Sequence, residues 1–100
     1  MMSDTQAVAT VKIDNAQVRV TEWRFAPGAH TGHHRHAYAY VVVPLVTGSL
    51  AATGAAGETT SALRVGEPYY RDAGVEHDVR NPNPFEFAFI EIELKGAPGA

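Results

Sequence analysis

Glycine and proline punctuate this chain so closely that a helix has almost nowhere to form. Pro27-Gly28, Gly32, Pro44, Gly48, Gly54, Gly57, Gly66, Pro68, Gly74, Pro82 and Pro84 break nearly every window of helical length between residues 26 and 84. Proline removes an amide donor and fixes φ, while glycine admits a positive φ, so both end regular segments rather than extend them. No segment sustains a 3.6-residue apolar period, and the runs between the breakers are short and rich in β-branched and aromatic residues. Such runs read as strands.

The expected strands are Gln17 to Phe25, Tyr38 to Val43 (stopped by Pro44), Leu45 to Ala52, Glu58 to Val65, Tyr69 to Arg71, Val75 to Arg80 and Phe85 to Leu94. Gly48 marks a bend or bulge, and the small residues Ala51 to Gly57 form a hairpin tip. In the first strand Trp23 and Phe25 share a face. In the last, Phe85, Phe87 and Phe89 occupy one face and Ala88, Ile90, Ile92 and Leu94 the other, so its first half reads as buried on both sides. Met1 to about Thr10 has weak patterning and suggests a loose arm or an exchanged edge strand; Val11–Ile13 is too short to assign, and Lys95 to Ala100 reads as a mobile tail. Short strands at regular spacing imply an all-β sandwich or small barrel. The expectation is one domain over residues 1–100, with its core from about 15 to 95.

Composition narrows the partners. Hydrophobic residues make up 45% and charged residues 19% of the chain, which is globular material rather than wholesale disorder. A net charge of −3 with no basic stripe argues against nucleic acid. No stretch approaches the roughly 18 apolar residues of a membrane span, and the N-terminus lacks a basic region followed by an apolar run, so a soluble cytoplasmic protein is expected. There is no cysteine, so any metal must be held by nitrogen and oxygen ligands.

Four of the five histidines lie between residues 30 and 36, and the fifth is His77. In an extended segment His34 and His36 point to one face while His33 and Arg35 point to the other. Two neutral imidazoles on one face are half of a metal site for Zn, Fe, Ni, Cu or Mn. A solvated surface loop is the competing reading of one isolated His-x-His pair.

Taken together, the two histidine regions resemble the paired motifs of the cupin family. The first, G-x5-H-x-H-x3,4-E-x6-G, is matched by Gly28, His34 and His36, with Tyr40 where glutamate belongs and Gly48 one residue late. The second, G-x5-P-x-G-x2-H-x3-N, is matched by Gly66, Gly74, His77 and Asn81, with Asp72 in place of proline. The resemblance covers about residues 15 to 95 and is closest to short single-domain cupins, including those of β-alanine degradation.

It implies a cupin jelly-roll (double-stranded β-helix) barrel of two antiparallel sheets, with His34, His36 and His77 converging on one divalent transition metal ion. Gly28, Gly66 and Gly74 would serve the turns, and Asn81 would cap a turn or pair with backbone. Tyr40 shares the parity of the two histidines and could enter the cavity, as a catalytic hydroxyl bonded to substrate or water, or as a ligand if its phenol ionised. His30 has the same parity but is expected at the surface. Glu76 and Asp78 should face outward together, so neither replaces the missing carboxylate. Trp23, Phe25, Tyr69, Phe85, Phe87 and Phe89 read as core or dimer-interface packing. Apart from the ligands, Tyr38, Tyr40, Tyr70 and His30 are the candidate proton carriers.

These readings point to a metal-dependent enzyme of oxygenase or lyase/isomerase type acting on a small organic acid or amino-acid-derived metabolite. The alternative is a non-enzymatic module that binds a small ligand or metal. A small-molecule partner and a homodimer are expected in either case, the dimer because the aromatic strands offer more apolar surface than so small a barrel needs inside.

Overall fold

The computed structural model describes residues 5–96, so the outermost ends of the expected arm and tail lie outside the described residues. Nine strands follow among them: β1 (Val8–Asp14), β2 (Val18–Phe25), β3 (His34–Arg35), β4 (Ala39–Pro44), β5 (Gly48–Gly54), β6 (Gly57–Leu63), β7 (Tyr69–Arg71), β8 (Glu76–Arg80) and β9 (Phe87–Leu94). They form a five-stranded sheet in the order β1-β2-β9-β4-β7 and a four-stranded sheet in the order β3-β8-β5-β6. Every strand pair is antiparallel. This is the all-β, two-sheet arrangement implied by the motifs. Among the described residues no helix is long and apolar enough to cross a membrane.

Register explains how the interior is graded. Cross-strand partners point to the same face of a sheet. On the inner face of the larger sheet, Phe25 opposes Phe87, and the next row joins Trp23, Phe89 and Pro44. Then come Thr21, Glu91, Val42 and Tyr69, and after them Arg19, Glu93, Tyr40 and Arg71. The inner face therefore runs from an aromatic floor to a charged rim within four rows. Leu50 and Val79 close the floor from the smaller sheet.

The outer face of the larger sheet carries a different row: Ile13, Val20, Ile92, Val41 and Tyr70, one residue from each of the five strands. Ile13 and Tyr70 are 49% and 53% exposed.

Two expectations about the ends of the chain are corrected. The N-terminal segment is an edge strand of its own sheet, β1 pairing with β2 from Val8 opposite Arg24 to Asp14 opposite Arg19, rather than a loose or exchanged arm. The register shifts between Val11 and Ile13, and all seven residues are exposed, so neither alternation nor burial marks the strand in the sequence. Phe85 lies before β9 and is exposed, so it does not continue the buried face of Phe87 and Phe89.

Asn81 ties the barrel together where β8 ends. It is fully buried; its Nδ2 donates to the carbonyls of Phe25, Ala26 and Phe85 at 3.1, 3.3 and 2.8 Å. Its Oδ1 accepts from the backbone and side-chain nitrogens of Asn83, both at 2.8 Å. Its backbone exchanges bonds with Gly28 and Ala29. The motif asparagine thus does the backbone pairing expected of it, on several segments at once.

Candidate metal centre

His34 and His77 face each other as register partners on β3 and β8. His36 follows β3 and is anchored by its own backbone: its N–H donates to the Val75 carbonyl and its carbonyl accepts from Gly74, at 2.9 and 2.8 Å. Gly74 has φ of 98°, a conformation that side chains other than glycine's rarely adopt, so this turn depends on it. One short strand pair and one glycine turn therefore aim three imidazoles at a common point. The three possible ligand atoms lie within 4.8 Å of one another.

The chemistry of these nitrogens suits a cation. His34 Nδ1 is 2.9 Å from the Gly32 carbonyl, which can only accept, so Nδ1 carries the proton and Nε2 presents a lone pair. His36 Nε2 is 3.0 Å from His34 Nε2 and 3.1 Å from His77 Nε2. A single N–H on His36 could serve only one of those contacts, whereas a metal ion bound at about 2.0–2.1 Å by each nitrogen would serve all three. Burial, then the neighbouring imidazoles, pushes His36 down to about 4; burial, then His34 and Arg71, does the same to His77. Both rings are neutral at pH 7, the form that ligates. The residues present fit a divalent transition metal ion.

Tyr40 is buried, 3% exposed, and its ring stacks on His36 with centroids 3.9 Å apart and planes 21° from parallel. Burial first, then Tyr69 and Glu91, raises its phenol well above the ordinary value. It therefore stays protonated, which favours a hydrogen-bonding hydroxyl over a phenolate ligand.

A residue not anticipated from the sequence stands behind the triad. Glu91 Oε2 lies 3.9 Å from His36 Nδ1, too far for a hydrogen bond, and Trp23 Nε1 approaches its other oxygen at 3.5 Å. Burial, then the charge of Glu93, raises the Glu91 carboxyl to about 7. The signal was available: Glu91 and Glu93 continue the parity of Phe87 and Phe89, and a carboxylate on an aromatic face is costly without a purpose.

The remaining candidates divide. A cavity of about 530 Å³ opens at the triad, bordered by Tyr38, Tyr40, Tyr69, Arg71, Glu91 and Glu93 on one side and by Leu50, Thr59, Ser61, His77 and Val79 on the other. Tyr38 borders it as its parity suggested. Tyr70 does not: it is on the outer face, and Tyr69 is the inward tyrosine of that pair. His30 is half-buried rather than at the surface, with Nδ1 3.1 Å from Asp78 Oδ2, and it takes no part in the triad. His33 meets Glu76 on the exterior at 3.2 Å. Arg35 opposes Glu76 in register, with its guanidinium over the Gly74 turn, and also borders the cavity.

Comparisons with known proteins agree with this fold. The profile described as "Cupin domain" matches residues 21–93. The beta-alanine degradation protein BauB of Pseudomonas aeruginosa is 53% identical over 95 residues, spanning 95% of this chain and 100% of BauB. A crystal structure of a cupin domain from Bordetella pertussis Tohama I superposes with a TM-score of 0.93 at 52% identity, covering 96% of this chain and 100% of that one. An uncharacterized conserved protein with a double-stranded β-helix domain from Klebsiella pneumoniae gives 0.75 at 20% identity, over 97% of this chain and 84% of its own, a likeness of fold alone.

Proposed function

The chain belongs to the cupin family, and from that premise we propose that it is a metal-dependent enzyme, of oxygenase or lyase/isomerase type, that acts in the cytoplasm on a small organic acid. The observation that carries this reading is the convergence of the Nε2 atoms of His34, His36 and His77 on the lining of an open cavity. A three-histidine set leaves coordination positions free for a substrate, water or dioxygen. Bound there, an ion of Fe, Zn, Ni, Cu or Mn would supply Lewis acidity or, if redox-active, electrons.

The chain's own groups supply the rest. The aromatic floor of Trp23, Phe25, Phe87 and Phe89 forms the apolar core beneath the cavity. Tyr40 holds the His36 ring by stacking and offers a protonated hydroxyl to substrate or water. Glu91, titrating near 7, is a proton carrier of the kind acid–base chemistry needs, so the site is better equipped than its tyrosines alone suggest. BauB is named for β-alanine degradation, and 53% identity supports a related place for this chain, on a short acid produced or consumed there.

The test is anaerobic incubation with Fe(II), followed by oxygen-uptake assays against small thiols, keto acids and amino acids, with lyase and isomerase products followed separately. Turnover of one class that is lost in H77A is expected. Silence across the panel by a metal-loaded protein would turn the reading into a non-enzymatic binding module.

A homodimer completes the proposal. The row Ile13, Val20, Ile92, Val41 and Tyr70 is an apolar strip across the whole outer face of the larger sheet, suited to a second copy of the same sheet. Solution mass at micromolar concentration should be twice that of the chain, and a monomeric mass would contradict it.

A further inference from the structure

We propose that Arg71 anchors the carboxylate of a short monocarboxylic acid at the mouth of the cavity, with the reacting end of that acid directed at the imidazoles. The inference rests on reading the triad as the reacting end of the cavity, and it starts from two arginines in one cross-strand row. Arg19 and Arg71 sit at opposite ends of the row Arg19, Glu93, Tyr40, Arg71. Arg19 is already answered by carboxylates: Asp14 and Glu93 each approach it at 3.6 Å. Among the described residues no carboxylate lies within ion-pair distance of Arg71.

Arg71 is nevertheless held. Its guanidinium carbon lies 4.6 Å from the centroid of the Tyr69 ring, and Nη1 donates to the Tyr70 carbonyl at 3.1 Å. Stacking and one hydrogen bond restrict the plane of a group with five N–H donors, leaving most of them free. A fork oriented in this way binds a carboxylate through two parallel bonds, at less entropic cost than a lysine would need.

Position makes that carboxylate part of the site. Arg71 is the register partner of Tyr40, one strand spacing of about 4.8 Å from it in the sheet, and the Tyr40 ring lies on His36, so guanidinium and triad border one cavity. With one tyrosine ring between guanidinium and triad, the site suits an acid with a chain of a few carbons. Glu91 and Glu93, on the next strand but one of the same wall, make the neighbouring stretch of the cavity unfavourable for a second carboxylate, which selects monocarboxylates over dicarboxylates.

Calorimetric titration of the full chain, metal-free and Zn(II)-loaded, with 3-hydroxypropanoate, 3-hydroxypropanamide and malonate tests this. The carboxylate should bind saturably to both forms, and the amide and malonate about tenfold or more weakly, since each loses or misplaces a charge-assisted pair. R71A should lose about tenfold in carboxylate affinity and R71K less, both with zinc content unchanged. H77A should lose zinc but keep carboxylate binding in the metal-free form, so a failure of the metal reading would not be confused with a failure of this one. Wild-type affinity in R71A, equal binding of acid and amide, or no saturable binding of the acid to either form would overturn the proposal.

Discussion

Asn81 and the imidazole triad are both polar constellations set in an apolar interior, and they differ in what answers them. Each side-chain group of Asn81 is satisfied, Nδ2 by three carbonyls and Oδ1 by both nitrogens of Asn83. The triad instead turns its Nε2 atoms on one another at 3.0 and 3.1 Å, with His34 fixed as an acceptor by Gly32. A saturated cluster is a structural device, since removing one partner leaves buried groups unpaired. A set of converging acceptors is stabilised only by something brought in from outside.

The contrast breaks if the two clusters respond alike. Asn81→Ala should have the largest effect, a loss of about 3 kcal/mol or more in denaturant unfolding that added metal does not restore, because it orphans three carbonyls on two segments. A variant near wild-type stability would mean that Asn81 is not the tie described here.

The next largest effect is on pH dependence in the metal-free protein. His36 and His77 have folded values near 4, below the unfolded 6.5, so the unfolded chain binds more protons between those limits and stability rises with pH from about 4 to 6.5. Glu91 works in the opposite direction: its folded value near 7 exceeds the unfolded 4.5, so its contribution falls as pH rises through that window. Two imidazoles outweigh one carboxyl up to 6.5, for a net gain on the order of 3 kcal/mol, after which only the Glu91 fall remains. Thermal unfolding in the presence of a chelator measures this curve, and a flat profile between pH 4.5 and 6.5 would contradict it. Glu91→Gln should then sharpen it by removing the fall, raising stability at pH 8 by about 1–2 kcal/mol. No gain there would mean that the buried carboxylate is better accommodated than its surroundings suggest.

The smallest effect on stability belongs to Tyr40→Phe. The ring stays on His36, so stability should shift by less than about 1 kcal/mol and metal content should hold, while turnover on any substrate found falls by about 100-fold. Unchanged turnover would confine Tyr40 to packing.

Much of this was legible from residues alone, and the omissions share a cause. β2, β4 and β9 were readable because burial imposes alternation or continuity on them, and the histidines because ligand spacing follows strand parity. β1 was not, since its residues are all exposed and a register shift interrupts its period. Tyr69 and Tyr70 are adjacent in a three-residue strand that offers no pattern for choosing between them, and residue type alone points to the outward one as readily as to the inward one. Glu91 and Arg71 were passed over because charged residues are ordinarily solvated. Parity with Phe87 and Phe89 marks Glu91 in the sequence, whereas only the pairing of β7 with β4 puts Arg71 on the inner face.

The central claim is that the triad exists to hold a metal. Elemental analysis of untagged protein purified without added metal tests it most directly. Close to one equivalent of a divalent transition metal per chain is expected, with loss of that metal in H34A, H36A and H77A. A wild-type protein free of transition metal, or variants that retain it in full, would contradict the account.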